Sequence, residues 1–302
     1  MESSCGGKCS VFNLRYKSSK GRALRAIKIG TLNPQINKPA IWIDAGLHAR
    51  EWIGISSALY FINKLISDYD QPEVKNLVDS YDWYILPVVN PDGYEYSHTN
   101  DRMWRKTRSQ QDNDCYGVDA NRNFNFHWNE AGTDPDPCHN TFAGKRAFSE
   151  PETQAMSDFI LSKRRDIKIY ISLHSYGNLW LTPWGYTRNL PGDYDELLRI
   201  ANIAAAAILA VRGEEYLTGS AAGLLSYLAA GGSRDWAKGK AGIKYSYSVE
   251  LSPSIRTADW SFRFELPPRF IPLVGEDLYM GLKAVAEALQ EKLTLEMNVG
   301  CI

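Results

Sequence analysis

The sequence predicts an α/β protein, a single domain with a central mixed, largely parallel twisted sheet flanked by helices. Apolar runs with the composition of buried strands occur at Ile41–Ile43, Asp82–Asn90 and Ile167–Leu173. Segments with helical apolar spacing alternate with these strands, as in βαβ units. A chain of 302 residues with 44% hydrophobic side chains can bury one large core, and α/β folds of this length often form one domain.

The N-terminal part of the chain begins without a clear pattern. Residues 1–22 are polar, so we expect an irregular segment there and place the domain itself at 23–295. Ala23–Thr31 has strand composition and precedes the strand at Ile41–Ile43. Helical spacing of the apolar residues then predicts a helix from Trp52 to about Tyr69.

The sequence of the middle part of the chain predicts little regular secondary structure. After a short helix at Pro72–Ser80 and the strand to Asn90, the NPDG sequence at Asn90–Gly93 is typical of a turn. The stretch Tyr94–Arg146 is rich in Asn, Asp, Gly and Pro, and long ordered loops of this kind are usually functional. It carries two motifs dense in hydrogen-bond donors, DRMWRKTR (Asp101–Arg108) and GVDANRNFNF (Gly117–Phe126).

The remaining chain returns to alternating strands and helices. Ser149 and Glu152 have capping-box spacing, which predicts a helix from there to about Lys163. A glycine-rich stretch runs up to Arg234. The other expected elements are the strand Ile167–Leu173, an Ala-rich helix at Asp193–Val211, the strand Tyr245–Leu251 and a last helix from about Ile271 to Leu293.

Charge and cysteine content restrict the class of protein. The formal net charge of −1 gives no basic field for nucleic acid or an acidic membrane surface, and no apolar run is long enough to span a bilayer. Cys115 and Cys138 lie in polar loop sequence, which suits a disulfide and an oxidising compartment. The first twenty residues lack a signal-peptide core, and the pairing of Cys5, Cys9 and Cys301 stays open.

Two strand ends carry candidate metal ligands. His48 and Glu51 follow the strand at Ile41–Ile43, in a strand-to-helix loop at the edge where open α/β sheets bind ligands. An imidazole and a carboxylate suit zinc, which needs a further ligand in a catalytic site. His174 ends another strand and is a candidate for it. The alternatives are a chance H-x-x-E spacing and a structural histidine.

The sequence contains seven motifs in this order: HAREW, NPDGY, RMWRKTR, GVDANRNF, LHSYG, GGS-x-DW and KYSYSVEL. Together they resemble one enzyme family, the funnelin metallocarboxypeptidases of the pancreatic carboxypeptidase A/B subfamily. The resemblance spans roughly residues 20 to 290. It implies a carboxypeptidase-like fold, one zinc ion held by His48, Glu51 and His174, and substrates that are peptide or protein C-termini.

The same resemblance implies roles for the substrate-binding residues. Arg105 matches the arginine that polarises the scissile carbonyl, a task that suits a fixed cation because charge develops there in the transition state. Asn121 and Arg122 match the clamp for the free C-terminal carboxylate, whose geometry fits an arginine fork. The remaining matches are the mobile Tyr227 and the lesser subsite residues Arg50 and Tyr176.

The general base has two candidates in this sequence, Glu250 and Glu265. Glu250 ends the KYSYSVEL strand, whereas Glu265 lies in an F-E-L-P sequence that matches a noncatalytic segment of the family. We therefore assign the base to Glu250. The loop Ser252–Trp260 departs from the family's R-D-T-G pattern, so its conformation is left open.

Arg234 occupies the position that the family uses to select the terminal side chain. An arginine there favours an acidic (Glu or Asp) terminal residue, as in the carboxypeptidase O branch, whose SRDW string this chain resembles. One alternative is an aliphatic/aromatic preference, if Arg234 leaves the pocket or is neutralised by a neighbouring acid. Another alternative is an inactive peptide-binding homologue.

The resemblance also bears on partners and location. We expect a monomer in an extracellular or secretory-lumen compartment, with no partner nucleic acid and no membrane-spanning segment. Members of the family usually carry an extra helix before the strand at Ala23, preceded by an inhibitory prodomain, and residues 1–22 are too short and polar to supply both.

Overall fold

The computed structural model describes residues 5–30, 32–33, 38–254 and 256–299, and these build one twisted sheet of eight strands between two layers of helices. The spatial order of the strands is β1-β2-β4-β3-β5-β8-β6-β7. The strands are β1 (Cys9–Lys17), β2 (Ala23–Ile29), β3 (Ala40–Ala45), β4 (Asp82–Leu86), β5 (Ile167–Ser175), β6 (Leu179–Thr182), β7 (Leu217–Ser220) and β8 (Tyr245–Leu251).

The centre of the sheet is parallel, and antiparallel pairings join it to the strands on either side. β3 pairs in parallel with β4 and β5, and β8 continues the parallel block beside β5. β1, β2 and β4 are joined by antiparallel pairings, and so are β8 and β6, whereas β6 and β7 are parallel. The predicted mixed, largely parallel sheet is thereby confirmed.

Helices cover both faces of the sheet. The described chain contains α1 (Trp52–Ser67), α2 (Pro72–Ser80), α3 (Pro91–Thr99), α4 (Pro151–Lys163), α5 (Tyr194–Arg212), α6 (Ala221–Leu224), α7 (Ser233–Gly239) and α8 (Ile271–Val299). One core lies between the sheet and α1, α5 and α8, and includes Phe61 and Trp83. The other lies beneath α4 and α7 and includes Trp42, Met156 and Trp236. Burial on both sides explains the nearly unbroken apolar runs of the central strands.

The expectation of an irregular segment at 1–22 is wrong where β1 runs. Cys9–Lys17 forms an edge strand paired antiparallel with β2. Its buried and half-buried positions alternate with exposed ones, most of which are polar, so the strand has a mixed composition that conceals its apolar face. Cys5 and Cys9 form a disulfide with Cα atoms 5.8 Å apart at the start of this strand. Cys301 lies outside the described residues.

Two other local expectations are corrected. NPDG opens helix α3 rather than a simple turn, because Pro91 suits a first turn and the Asn90 side chain accepts a hydrogen bond from Gly93 N–H at 2.9 Å. The predicted helix after Ser149 is present, but Glu150 is its N-cap and no capping box forms. Glu152 is engaged elsewhere, since its Oε1 accepts the Ser19 N–H at 3.0 Å.

The glycine-rich stretch before Arg234 contains short elements that the sequence did not predict. Strand β7 and helix α6 have four residues each, and α7 begins directly after the glycines. Gly231 has φ +68°, and a Cβ there would lie 2.4 Å from the Arg122 carbonyl oxygen. This close approach of two backbones requires glycine. Within the described ranges, none of the helices combines the length and apolar character that crossing a membrane requires.

The expected disulfide between Cys115 and Cys138 is present, with Cα atoms 5.0 Å apart. We predict that peptide mapping without reduction recovers the two segments as one cross-linked species that separates on reduction. A thiol at either cysteine that alkylates without prior reduction would contradict this pairing.

Candidate metal centre and substrate pocket

The parallel strands deliver the three expected metal ligands to one place. His48 and Glu51 lie in the loop between β3 and α1, and His174 lies near the end of the neighbouring strand β5. All three side chains are buried. His48 Nδ1 is 2.7 Å from Glu51 Oε1, and His174 Nδ1 is 2.9 Å from Glu51 Oε2 and 3.2 Å from His48 Nδ1.

These residues fit a zinc ion. Two imidazole nitrogens face one another across a carboxylate, and one ligand atom from each residue lies within 4.8 Å of the others. Burial alone would raise the pKa of Glu51, but His48 and His174 together lower it well below its usual range. The group therefore offers two nitrogens and an ionised carboxylate, which is the donor chemistry of catalytic zinc sites.

Asp119 is a site residue that sequence reasoning missed. It is fully buried, and its Oδ1 lies 3.0 Å from His48 Nε2, on the side of the ring away from Glu51. Its Oδ2 accepts hydrogen bonds from Arg105 Nε and Nη2 at 3.1 and 2.9 Å. Burial opposes ionisation, yet Arg105 and His48 hold the pKa of Asp119 well below its usual range. Its position in GVDANRNF, two residues before Asn121, was the available signal.

Glu250 faces the metal cluster because of strand register. In the β5–β8 ladder it is directly paired with His174, and it lines the same cavity. Burial raises the pKa of Glu250 to about 7, against the opposing effects of His174 and Arg105. Glu265, the other candidate base, is exposed and lies outside the lining of this cavity.

The cavity has a volume of about 240 Å³ and gathers the remaining expected residues. Arg105 lies beside the cluster, with Nη1 3.9 Å from Glu51 Oε1. Asn121 Nδ2 lies 3.3 Å from His174 Nε2, and Asn121 Oδ1 accepts the Ser233 N–H at 2.9 Å. The Arg122 guanidinium is fixed by the carbonyls of Gly132 and Asn121, each at 3.0 Å. The cavity wall thus presents two arginines held by other protein groups.

The rim of the cavity is aromatic. Tyr227 is 53% exposed, so it has room to move toward a ligand. Tyr176 packs edge-on against Phe264 and Trp260, with ring centroids 4.8 Å apart in each case. The Arg50 guanidinium lies 4.3 Å from the centre of the Phe264 ring. Phe264 was not predicted to line the site, because its F-E-L-P sequence matched a noncatalytic segment of the family.

Arg234 lies in the same cavity and is only 8% exposed. Its Nε donates to Asp235 Oδ1 at 3.1 Å, and its Nη2 is also 3.1 Å from that oxygen. Asp235 Oδ2 accepts the N–H groups of Gly185 and Tyr186 at 2.7 and 3.1 Å. A Cβ on Gly185 would lie 2.5 Å from Arg234 Nη2, so this glycine gives the guanidinium its space.

An α/β fold with this His–Glu–His cluster, an adjacent carboxylate and cavity-lining arginines is that of a metal-dependent hydrolase. Comparison with known proteins identifies it more closely. The zinc carboxypeptidase family model matches residues 3–281. The chain belongs to the zinc carboxypeptidase family, and it is a hydrolase that acts on peptide bonds with zinc as cofactor.

Individual relatives support the same assignment. The chain is 41% identical over 279 residues to carboxypeptidase B of Astacus astacus, covering 91% of this chain and 88% of the relative. It is 40% identical over 257 residues to carboxypeptidase O of Bos taurus, covering 84% and 67%. The structure of thrombin activatable fibrinolysis inhibitor matches with a TM-score of 0.89 and 35% identity, over 95% of this chain and 70% of that one.

Chelation tests the metal centre. We predict that phenanthroline abolishes peptidase activity and that added zinc restores it, because the His–Glu–His cluster offers the donor set of catalytic zinc. The measurement is peptide hydrolysis before chelation, after it and after zinc addition. Full activity in protein shown by elemental analysis to be free of metal would disprove the assignment.

A matched pair of variants tests the base. We predict that Glu250→Gln lowers kcat by on the order of a thousandfold while zinc stays bound, since a general acid/base group contributes about 10²- to 10⁴-fold. Glu265→Gln is the control, and as an exposed substitution it should change kcat by about twofold or less. A large loss of kcat in Glu265→Gln, with kcat retained in Glu250→Gln, would reverse the assignment.

Proposed function

We propose that this protein is a zinc-dependent exopeptidase that hydrolyses the C-terminal peptide bond and prefers Glu or Asp as the terminal residue. The observation that carries the preference is Arg234, a nearly buried cation in the lining of the substrate cavity. The site residues supply the rest of the reaction.

In the proposed mechanism, Arg122 and Asn121 hold the free carboxylate of the substrate. The neighbouring main-chain carbonyls fix the Arg122 guanidinium, so little rotamer freedom is lost when it binds. This contact confines cleavage to the last peptide bond. It also brings the scissile carbonyl toward Arg105, which lines the same cavity.

The chemical step uses Arg105 and Glu250. Zinc, when bound, supplies Lewis acidity and lowers the pKa of a coordinated water to about 7. Glu250 takes the proton of the attacking water and later gives it to the departing amine. Arg105, anchored through Asp119, donates to the carbonyl oxygen as negative charge develops on it. No side chain needs to bond covalently to the substrate.

The acidic preference follows from the incomplete neutralisation of Arg234. Asp235 is its partner, but the Asp235 carboxylate is shared with two backbone N–H groups. The contacts with Asp235 use Nε and Nη2, so a guanidinium retains further donors for a ligand carboxylate. A Lys or Arg terminal side chain would meet a like charge in a partly desolvated pocket and be rejected.

A second candidate specificity is aliphatic or aromatic. The Arg234–Asp235 pair favours it, because with the guanidinium neutralised the terminal side chain would contact the apolar lining residues, which include Leu181, Ala221 and Leu225. In that case the terminal side chain would be selected by burial of apolar area alone. The two candidate specificities differ in how strongly a carboxylate on the substrate side chain competes with Asp235 for the Arg234 guanidinium.

We also propose that the protein functions in an extracellular or secretory-lumen compartment. The disulfides Cys5–Cys9 and Cys115–Cys138 support this location, since such bonds persist in oxidising compartments.

Matched substrates ending in Glu, Phe and Lys test the specificity. We predict that the wild type has its highest kcat/KM on the Glu substrate, and that Arg234→Ile lowers this value by about a hundredfold because a buried charged partner is lost. Arg234→Lys is the control, since it keeps the charge but loses the fork, and it should retain part of the preference. Faster release of Phe than of Glu by the wild type would favour the second candidate.

A further inference from the structure

A row of buried, hydrogen-bonded polar side chains leads from the metal centre into the sheet. The β3–β5 register pairs Asp44 directly with Ser172, and Ser172 lies two residues before His174 on the same face of β5. Ser172 Oγ donates to Asp44 Oδ1 at 2.7 Å and lies 3.1 Å from His174 Nε2. Asp44 and Ser172 are both fully buried, and the reaction described above uses neither of them.

The donors and acceptors around His174 determine the direction of these hydrogen bonds. His174 Nδ1 faces Glu51 and His48, so a ligand role for Nδ1 places the ring proton on Nε2. That N–H needs an acceptor. Asn121 Nδ2 is nearby but is a donor, and its orientation is set because Asn121 Oδ1 accepts the Ser233 N–H. Ser172 Oγ is therefore the acceptor.

Asp44 determines which way the Ser172 hydroxyl points. Because Ser172 Oγ accepts the hydrogen bond from His174, its own proton is directed at Asp44 Oδ1, which acts as the acceptor. Trp42 Nε1 holds the other carboxylate oxygen at 2.8 Å. Burial raises the pKa of Asp44, and the hydrogen bonds from Ser172 and Trp42 oppose that rise.

We infer that Asp44 and Ser172 are positioning residues that fix the Nε2–H tautomer and the ring orientation of His174, and so raise the affinity of the centre for zinc. This inference rests on the proposed metal ligands. His48 has an equivalent partner in Asp119, which contacts its Nε2 directly. For His174 the carboxylate of Asp44 acts indirectly, through the Ser172 hydroxyl. Residues that hydrogen-bond to a metal ligand in this way typically contribute about 10- to 100-fold in metal affinity.

Zinc affinity, measured by competition with a chelating dye, tests the inference. We expect Ser172→Ala and Asp44→Asn each to weaken zinc binding by about 10- to 100-fold. Because Asp44 acts through Ser172, the double variant should be no weaker than the worse single variant, within about threefold. Ser57→Ala is the matched control, since it removes another fully buried serine hydroxyl, in α1, and should leave the affinity unchanged.

The outcomes separate this inference from the proposed function. His174→Ala should lose zinc binding, and if it does while Ser172→Ala binds zinc like the wild type, only the positioning role is overturned. Additive losses in the double variant would also overturn it. A wild type that binds no zinc would overturn both. Should Asp44→Asn unfold, as monitored by circular dichroism, the comparison of Ser172→Ala with Ser57→Ala decides.

Discussion

The parallel register of β3, β5 and β8 is the constraint on which the site depends. Adjacent parallel strands end at one edge of a sheet, so residues far apart in sequence meet there. The register pairs Asp44 with Ser172 and His174 with Glu250, while the loop after β3 adds Glu51. A shift by one residue would turn each of these side chains to the opposite face. Buried aliphatic and aromatic residues on both faces hold the register in place.

Asp119 connects the metal-binding part of the site to the arginine that faces the substrate carbonyl in the proposed mechanism. One of its oxygens faces the His48 ring and the other binds the Arg105 guanidinium, so a single carboxylate orients a metal ligand and the proposed oxyanion donor. A buried carboxylate would be costly alone, but here two cationic or polar partners and the Asn121 N–H compensate for its lost hydration. A site held in this way needs little rearrangement when charge develops during the reaction.

The sequence predicted the parts of the fold that have strong local patterns. Central strands and long helices were found because their apolar periodicity is continuous, whereas the edge strand β1 and the four-residue strands β6 and β7 were not. His48, Glu51 and His174 stood out as strand-end motifs. Asp119, Asp44 and Ser172 did not, because their contacts join positions 71 or more residues apart or depend on strand register. Asp235 adjoins Arg234, but its shared hydrogen bonds with Gly185 and Tyr186 required coordinates.

The central claim is that one zinc ion is held by His48, Glu51 and His174 at the base of the peptide cavity. Anomalous diffraction at the zinc absorption edge, from crystals of the zinc-loaded protein, measures this most directly. The account predicts a single strong peak about 2.0–2.2 Å from His48 Nδ1, His174 Nδ1 and a Glu51 carboxylate oxygen. A peak at other residues, or none at this cluster in fully loaded protein, would contradict it.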